Sequence, residues 1–152
     1  MARAPYQVLI LPYRIRDQKA EFCVFRRRDM GIWQFLAGGG EEEDASVTES
    51  AKREAFEEAG IPKTSRCVKL DTCCSIPAGC FKNAEVLWGR ERFVVPEYAF
   101  AVRIGAFSLQ LSDEHTESAW MAYEDAQAVL RYDSNRTALW ELNRRIELGL
   151  LE

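Results

Sequence analysis

The sequence predicts a mixed α/β domain, and three observations predict it. "YQVLILPYRI" and "AEFCVFRRR" are runs of β-branched and aromatic residues joined by the polar turn "RDQK", the pattern of paired strands. A helix with recognisable ends follows a run of glycines and acids. Near the C-terminus apolar residues return at helical spacing. At 152 residues the chain is the length of one domain, taken as 1–152, and long enough to bury a core.

After the two strands, "IWQFLA" is a shorter extended piece running into Gly38-Gly39-Gly40 and "EEED". The glycines predict a loop that turns sharply or admits a ligand close to the backbone. Ser46 with Glu49 three residues on fits a capping box, and Gly60 before Ile61-Pro62 fits a C-terminal stop. A helix is therefore predicted from about Ser46 to Ala59, with Val47, Ala51 and Ala55 as its apolar stripe and Phe56 beside it. "CVKLDTCCSI" reads as a strand, and "FVVPEYAFAVRI" as one long strand or a pair broken near Pro96. The irregular segment from Pro77 to Arg92, with Gly79 and Gly89, reads as a long surface loop. "ESAWMAY" predicts a short strand. "YEDAQAVLR" and "SNRTALWELNRRIELGLL" predict helices, the second with Leu139, Leu142, Ile146 and Leu150 at helical spacing.

Composition narrows the function classes. A chain 47% hydrophobic and 29% charged is not extensively disordered, and a net charge of -4 gives no reason to expect a nucleic-acid polymer as partner. The apolar run Val8 to Leu11 is too short for a membrane span, and no signal-peptide cleavage pattern follows it. Five cysteines, at 23, 67, 73, 74 and 80, include no C-x-x-C pair. They read as reduced thiols of a cytoplasmic protein.

Chemistry is concentrated on the first predicted helix. Glu57 and Glu58 lie three and four positions beyond Glu54, so all three share one side. Like charges at that spacing cost roughly 0.2–0.5 kcal/mol per pair, and folding does not ask for them. An oxygen-rich cluster suits Mg²⁺ or Mn²⁺, which shares its shell with substrate phosphates. From charges alone, a solvated acidic face with no ligand stays open. Arg53 can orient one carboxylate through a forked contact. In "FRRRD", Arg26 and Arg28 point to one side of a strand and Arg27 to the other; at least one could clamp a phosphate, and a solvated strand end is the alternative.

Gly38 through Ile61 resembles the signature of the Nudix hydrolase family. The core R-E-x-x-E-E-x-G plus an aliphatic residue is matched throughout by Arg53-Glu54-Ala55-Phe56-Glu57-Glu58-Ala59-Gly60-Ile61. One position departs. Counting back from Arg53 places Ala45 where the family has its leading glutamate, with Gly39 as the glycine. Counting forward from "WQFLAG" makes Gly38 the glycine and puts Asp44 at the acidic position, with one extra residue before Arg53. The insertion is preferred, because loops accommodate extra residues most cheaply.

The resemblance implies a Nudix-type α/β/α sandwich with a mixed β-sheet between helices. It implies Mg²⁺ (or Mn²⁺) on Glu54, Glu57 and Glu58, with a backbone carbonyl from Ala37 or Gly38, and substrate near Gly38, Gly39, Arg26 and Arg28. Arg53 belongs to the catalytic set. "LSDEHTESAW" is similar to the family's later segment, which makes Glu114 a further metal ligand or the base, with Asp113 as substitute. His115, the sole histidine, lacks the partners of a nucleophilic triad and is assigned to packing or hydrogen bonding.

Family members hydrolyse a pyrophosphate linkage in a nucleoside diphosphate joined to another moiety. "RRRDMGIWQ", "LSDEHTESAW" and Ser134-Asn135-Arg136 are similar to the subgroup acting on dATP-type nucleotides and dihydroneopterin triphosphate. The expectation is a Mg²⁺-dependent enzyme releasing pyrophosphate from a nucleoside or pterin triphosphate. Alternatives are ADP-ribose, nucleotide sugars or dinucleotide polyphosphates, or a non-enzymatic nucleotide sensor. The implied partner is this small molecule, with no membrane; many relatives are homodimers. The likeness is weak from Pro62 to Phe107, where Trp88 and Phe81 could stack on a ring or cover the core.

Overall fold

The computed structural model describes residues 3–106 and 108–151. The chain opens with β1 (Arg3–Arg16) and β2 (Lys19–Arg27), joined by a tight turn in which Asp17 and Gln18 both take positive φ, 52° and 64°. Two such residues in a row match the right-handed twist of the flanking strands. β3 (Trp33–Gln34), β4 (Leu36–Glu41), α1 (Val47–Ala59) and β5 (Cys67–Pro77) follow. Next come α2 (Ala84–Trp88), β6 (Val94–Arg103), β7 (His115–Met121), α3 (Tyr123–Val129) and α4 (Asp133–Glu147).

Among the described residues, seven strands form one mixed sheet in the order β3-β2-β1-β6-β5, with β4 also on β1 and β7 also on β2. One edge of β1 pairs antiparallel first with β4, over Arg3 to Ile10, and then with β2, over Tyr13 to Arg16. Its other edge runs parallel to β6. Alternation along β1 fills two cores. Leu9 and Leu11 face Leu139 and Leu142 of α4, while Val8 and Ile10 face Ala51 and Ala55 of α1. The predicted sandwich is therefore observed, with helices on both faces. Each fully buried Leu or Phe in these layers contributes about 1.5–3 kcal/mol.

Helix α1 has the predicted ends. The Ser46 hydroxyl accepts from Glu49 N at 3.1 Å, and Gly60, at φ 67°, donates to Phe56 O while Ile61 N reaches Ala55 O.

Elsewhere the structure corrects the prediction. The three glycines are not a loop: they are the body of β4, and none has positive φ. Their value is the missing Cβ. One added at Gly38 would lie 2.1 Å from the Glu54 carboxyl carbon, at Gly39 2.4 Å from the Arg3 guanidinium, and at Gly40 2.1 Å from the Tyr6 ring. β6 is one unbroken strand, because Pro96 pairs with Ser75 of β5 just before the ladder to β1 begins at Glu97. The segment after β5 holds a 3-10 turn (Ala78–Cys80) and α2 rather than one long loop. β7 starts at His115, before the predicted Glu117. The last helix ends at Glu147, since Gly149 turns to φ 70° and its N–H bonds Ile146 O.

Tyr6 cannot retreat from a side chain at position 40, because its hydroxyl is bonded to the buried Ser50 at 2.6 Å. Gly40→Ala is expected to destabilise the fold by about 1–3 kcal/mol, read as a Tm lowered by several degrees. An unchanged Tm would show that β4 yields at no cost.

Candidate active site

One cleft of about 640 Å³ brings together parts of nearly every element. Glu54, Glu57 and Glu58 of α1 line it with Glu114, Ala37, Gly38 and Gly39. Arg3, Arg27 and Lys82 line it too, so anionic and cationic groups share one space. All three helix acids and Glu114 thus line the same cleft.

Arg53 sits beneath this acidic wall. Its Nε and Nη2 fork onto Asp44 at 3.2 and 3.0 Å, and Nη2 also donates to Gly39 O at 2.9 Å. Nη1 donates to Glu54 at 3.0 Å and Glu57 at 3.2 Å. Asp44 further accepts from Glu41 N and from Ser50 Oγ at 2.5 Å. Since Ser50 donates there, Tyr6 O–H must donate to Ser50. Asp44, not Ala45, takes the acidic position that orients the arginine. The Arg53 hydrogen bonds, followed by those of Ser50 and the Glu41 amide, hold its carboxyl at about 2, against desolvation.

Glu54 and Glu58 are pushed the opposite way. Burial raises Glu54 to about 7, with Glu57 and Glu58 adding to the rise and Arg53 opposing it. Burial also raises Glu58, reinforced by Glu114 and Glu57, although Ser112 Oγ donates to it at 2.5 Å. As placed, no three His, Cys, Asp or Glu side chains among the described residues converge on a point that an ion could occupy. The physical reason is that Glu54 and Glu57 are turned onto Arg53. The donor chemistry nonetheless fits a hard cation: these are oxygen donors only, Glu54 and Glu58 buried and Glu57 and Glu114 open to the cleft, beside a glycine backbone.

Two predicted substrate contacts are corrected. Arg26 bonds Glu117 and Gly31 O, and Arg28 bonds Asp113 O at 2.7 Å, so neither lines the cleft. Arg27, on the opposite side of β2, does. The alternation is as expected, but the face depends on pairing with β7, whose register shifts between Arg26 and Arg27. His115 is packed, as expected: its ring lies 5.5 Å from that of Phe25, burial lowers its pKa, and its ring nitrogens have no hydrogen-bond partner among the described residues. Glu58 is 4.0 Å from Nδ1.

Arg3, Gln7 and Glu97 escaped the sequence reading, whereas Phe81, Trp88, Ser134 and Asn135 were singled out by it. Arg3 lies over the Phe81 ring at 4.8 Å, and its carbonyl accepts from Trp88 Nε1. Phe81 lines the cleft, while Trp88 braces it edge-on at 5.8 Å between ring centroids. Gln7 and the buried Glu97 line it from β1 and β6. A charged residue inside an otherwise apolar strand was the available signal for Glu97. Ser134 and Asn135 also reach the cleft, and Asn135 Oδ1 accepts from Phe35 N at 2.8 Å.

Residues 5–141 match the NUDIX domain family. The chain belongs to the Nudix family. That membership makes this Nudix chain a pyrophosphohydrolase. A Nudix-hydrolase-type protein of Listeria monocytogenes is 40% identical, with 96% of this chain and 97% of that one covered at a TM-score of 0.86. The E. coli dihydroneopterin triphosphate pyrophosphohydrolase is 21% identical, covering 94% and 99% at 0.72. A C. elegans Ap4A hydrolase is 19% identical, covering 95% and 98%, also at 0.72. The last two share the fold. No curated protein matches the Nudix chain.

Because the folded pKa of Asp44 is depressed, its contribution to stability is complete above its ordinary value of 3.8 and is lost as pH falls toward 2. Asp44→Asn should lower stability by about 2 kcal/mol near neutrality. Melting curves should show the gap to the wild type closing between pH 4 and about pH 2. A gap independent of pH would remove the Arg53 pairing as its cause.

Proposed function

We propose that the chain hydrolyses a nucleoside or pterin triphosphate with the help of Mg²⁺ or Mn²⁺, releasing pyrophosphate. One observation supports this reading above the rest: Glu54, Glu57, Glu58 and Glu114 share a cleft with Arg3, Arg27 and Lys82. The acids suit a cation and the basic groups suit a polyphosphate, which is the pair such a substrate brings. Ser134 and Asn135, from the motif that resembles the triphosphate subgroup, line the same space.

Glu54, Glu57 and Glu58 would hold the ion, with a carbonyl from Ala37 or Gly38. When bound, it supplies positive charge over the phosphate oxygens and the leaving group. Arg53 touches no substrate in this scheme. It fixes Glu54 and Glu57 until they turn toward the ion, and its fork on Asp44 keeps α1 in place. Arg3, Arg27 and Lys82 neutralise the rest of the polyphosphate. Water forms the new bond to phosphorus, the phosphorus–oxygen bond to pyrophosphate breaks, and Glu114 takes the proton of the water. Five free cysteines support a reducing, cytoplasmic setting. Among the described residues, no helix is long and apolar enough to cross a membrane.

Hydrolysis of dATP, dGTP, dihydroneopterin triphosphate, ADP-ribose and diadenosine tetraphosphate should be followed by analysis of all phosphorylated products, with and without Mg²⁺, in ¹⁸O-labelled water. Triphosphates should turn over only with the ion, and binding without turnover across the panel would favour a sensor. Glu57→Gln should cut kcat on the order of a hundredfold or more while leaving Tm nearly unchanged, since that side chain is 52% exposed. Wild-type turnover in the variant would discard the metal assignment. Arg27→Ala should raise KM about tenfold, whereas Arg26→Ala should leave it nearly unchanged. Equal effects would place the phosphates elsewhere.

A further inference from the structure

Gly39, Gln7, Glu97 and Cys74 are register partners across four adjacent strands, so they form one row on one face of the sheet. The glycine end of this row lies against Arg3, and the Gly39 carbonyl accepts from Arg53 of the acidic helix at 2.9 Å. The other end runs inward. Glu97 is only 5% exposed yet lines the cleft. Gln7 Nε2 donates to its Oε2 at 2.6 Å, and Cys74 Sγ donates to its Oε1 at 3.5 Å. Folding alone has no use for a carboxylate here, since the next inward positions of β6 on this face are Ala99 and Ala101.

We propose that Glu97, held by Gln7, reads the ring of the substrate and selects bases with an amino group beside a ring N–H, as in guanine and pterins, over adenine. This rests on the triphosphate reading above. A carboxylate has about four acceptor sites. Gln7 and Cys74 occupy one on each oxygen, which leaves one on each for a ligand. Two parallel N–H donors match that pair, as a forked donor does. Guanine and pterin present them; adenine presents an amine beside an unprotonated nitrogen, whose lone pair faces the carboxylate. In so dry a position the mismatch leaves a polar group without a partner, which is costly. Leu9 and Ile76 supply apolar surface beside the row, and Phe81 and Tyr132 supply rings against which a base stacks.

The test compares kcat/KM of the wild type for dGTP, dITP (which lacks the amino group) and dATP with Mg²⁺. The expected result is a preference for dGTP over both others of about 10- to 100-fold. Glu97→Gln, checked for folding by its melting curve, should bring the dGTP/dATP ratio to within about threefold, and an unchanged ratio would overturn the proposal. Equal rates for the three nucleotides in the wild type would also overturn it while leaving the triphosphate reading intact, and they decide the matter even if the variant fails to fold. Should no triphosphate turn over, the triphosphate reading falls and calorimetry with GMP and AMP decides the subsite. Tighter binding of GMP upholds it, and equal or absent binding overturns it.

Discussion

Arg53 is the constraint on which the rest of the site depends. One guanidinium, with its side chain only 15% exposed, bonds Asp44, Glu54, Glu57 and the carbonyl of Gly39, and lies 3.6 Å from Glu41. It joins α1, β4 and the segment between them with charge-assisted bonds in which each partner fixes the next. One positive charge cannot balance so many negative ones. Glu54 and Glu58 show it: burial first, then repulsion from neighbouring acids, raises both carboxyls. Local stability and local charge surplus therefore come from the same few residues.

Helix α1 and the first hairpin were readable because their signals are short-range: a hydroxyl cap, a glycine stop, and a polar turn between apolar strands. The glycine run was misread for a physical reason. A sequence cannot distinguish glycine needed for positive φ from glycine needed because no Cβ fits, and here the second holds at all three positions. The arginines of β2 show the next limit. Alternation separates Arg27 from its neighbours, but the side that meets the cleft is decided by an irregular register with a strand ninety residues away. The grouping of Glu54, Glu57 and Glu58 was legible in their spacing on one helix, and Glu114 was singled out only through a motif resemblance. Gln7 and Glu97 were not, because parallel pairing of β1 with β6 is invisible to local pattern.

The two helical layers divide the work. α1 packs its apolar stripe under one face and presents acids at the edge that the β4 glycines leave bare. α4 covers the other face with Leu139 and Leu142, and its first turn offers Ser134 and Asn135 to the cleft. Asn135 does two things at once, since its Oδ1 satisfies the amide of buried Phe35 while its chain segment closes one end of the cleft. Ser134 and Asn135 are thus a structural joint as well as part of the cleft lining.

The central place of β1 has a cost during synthesis. Its apolar stretch from Val8 to Leu11 lies between β4 and a partner ninety residues later, and the amide of Phe35 waits a hundred residues for Asn135. Until β6 leaves the ribosome that strand has an unpaired edge, and its Leu9 and Leu11 face stays bare until α4 follows. Such an open edge invites cross-pairing with neighbouring chains, and contacts of this sequence separation slow folding.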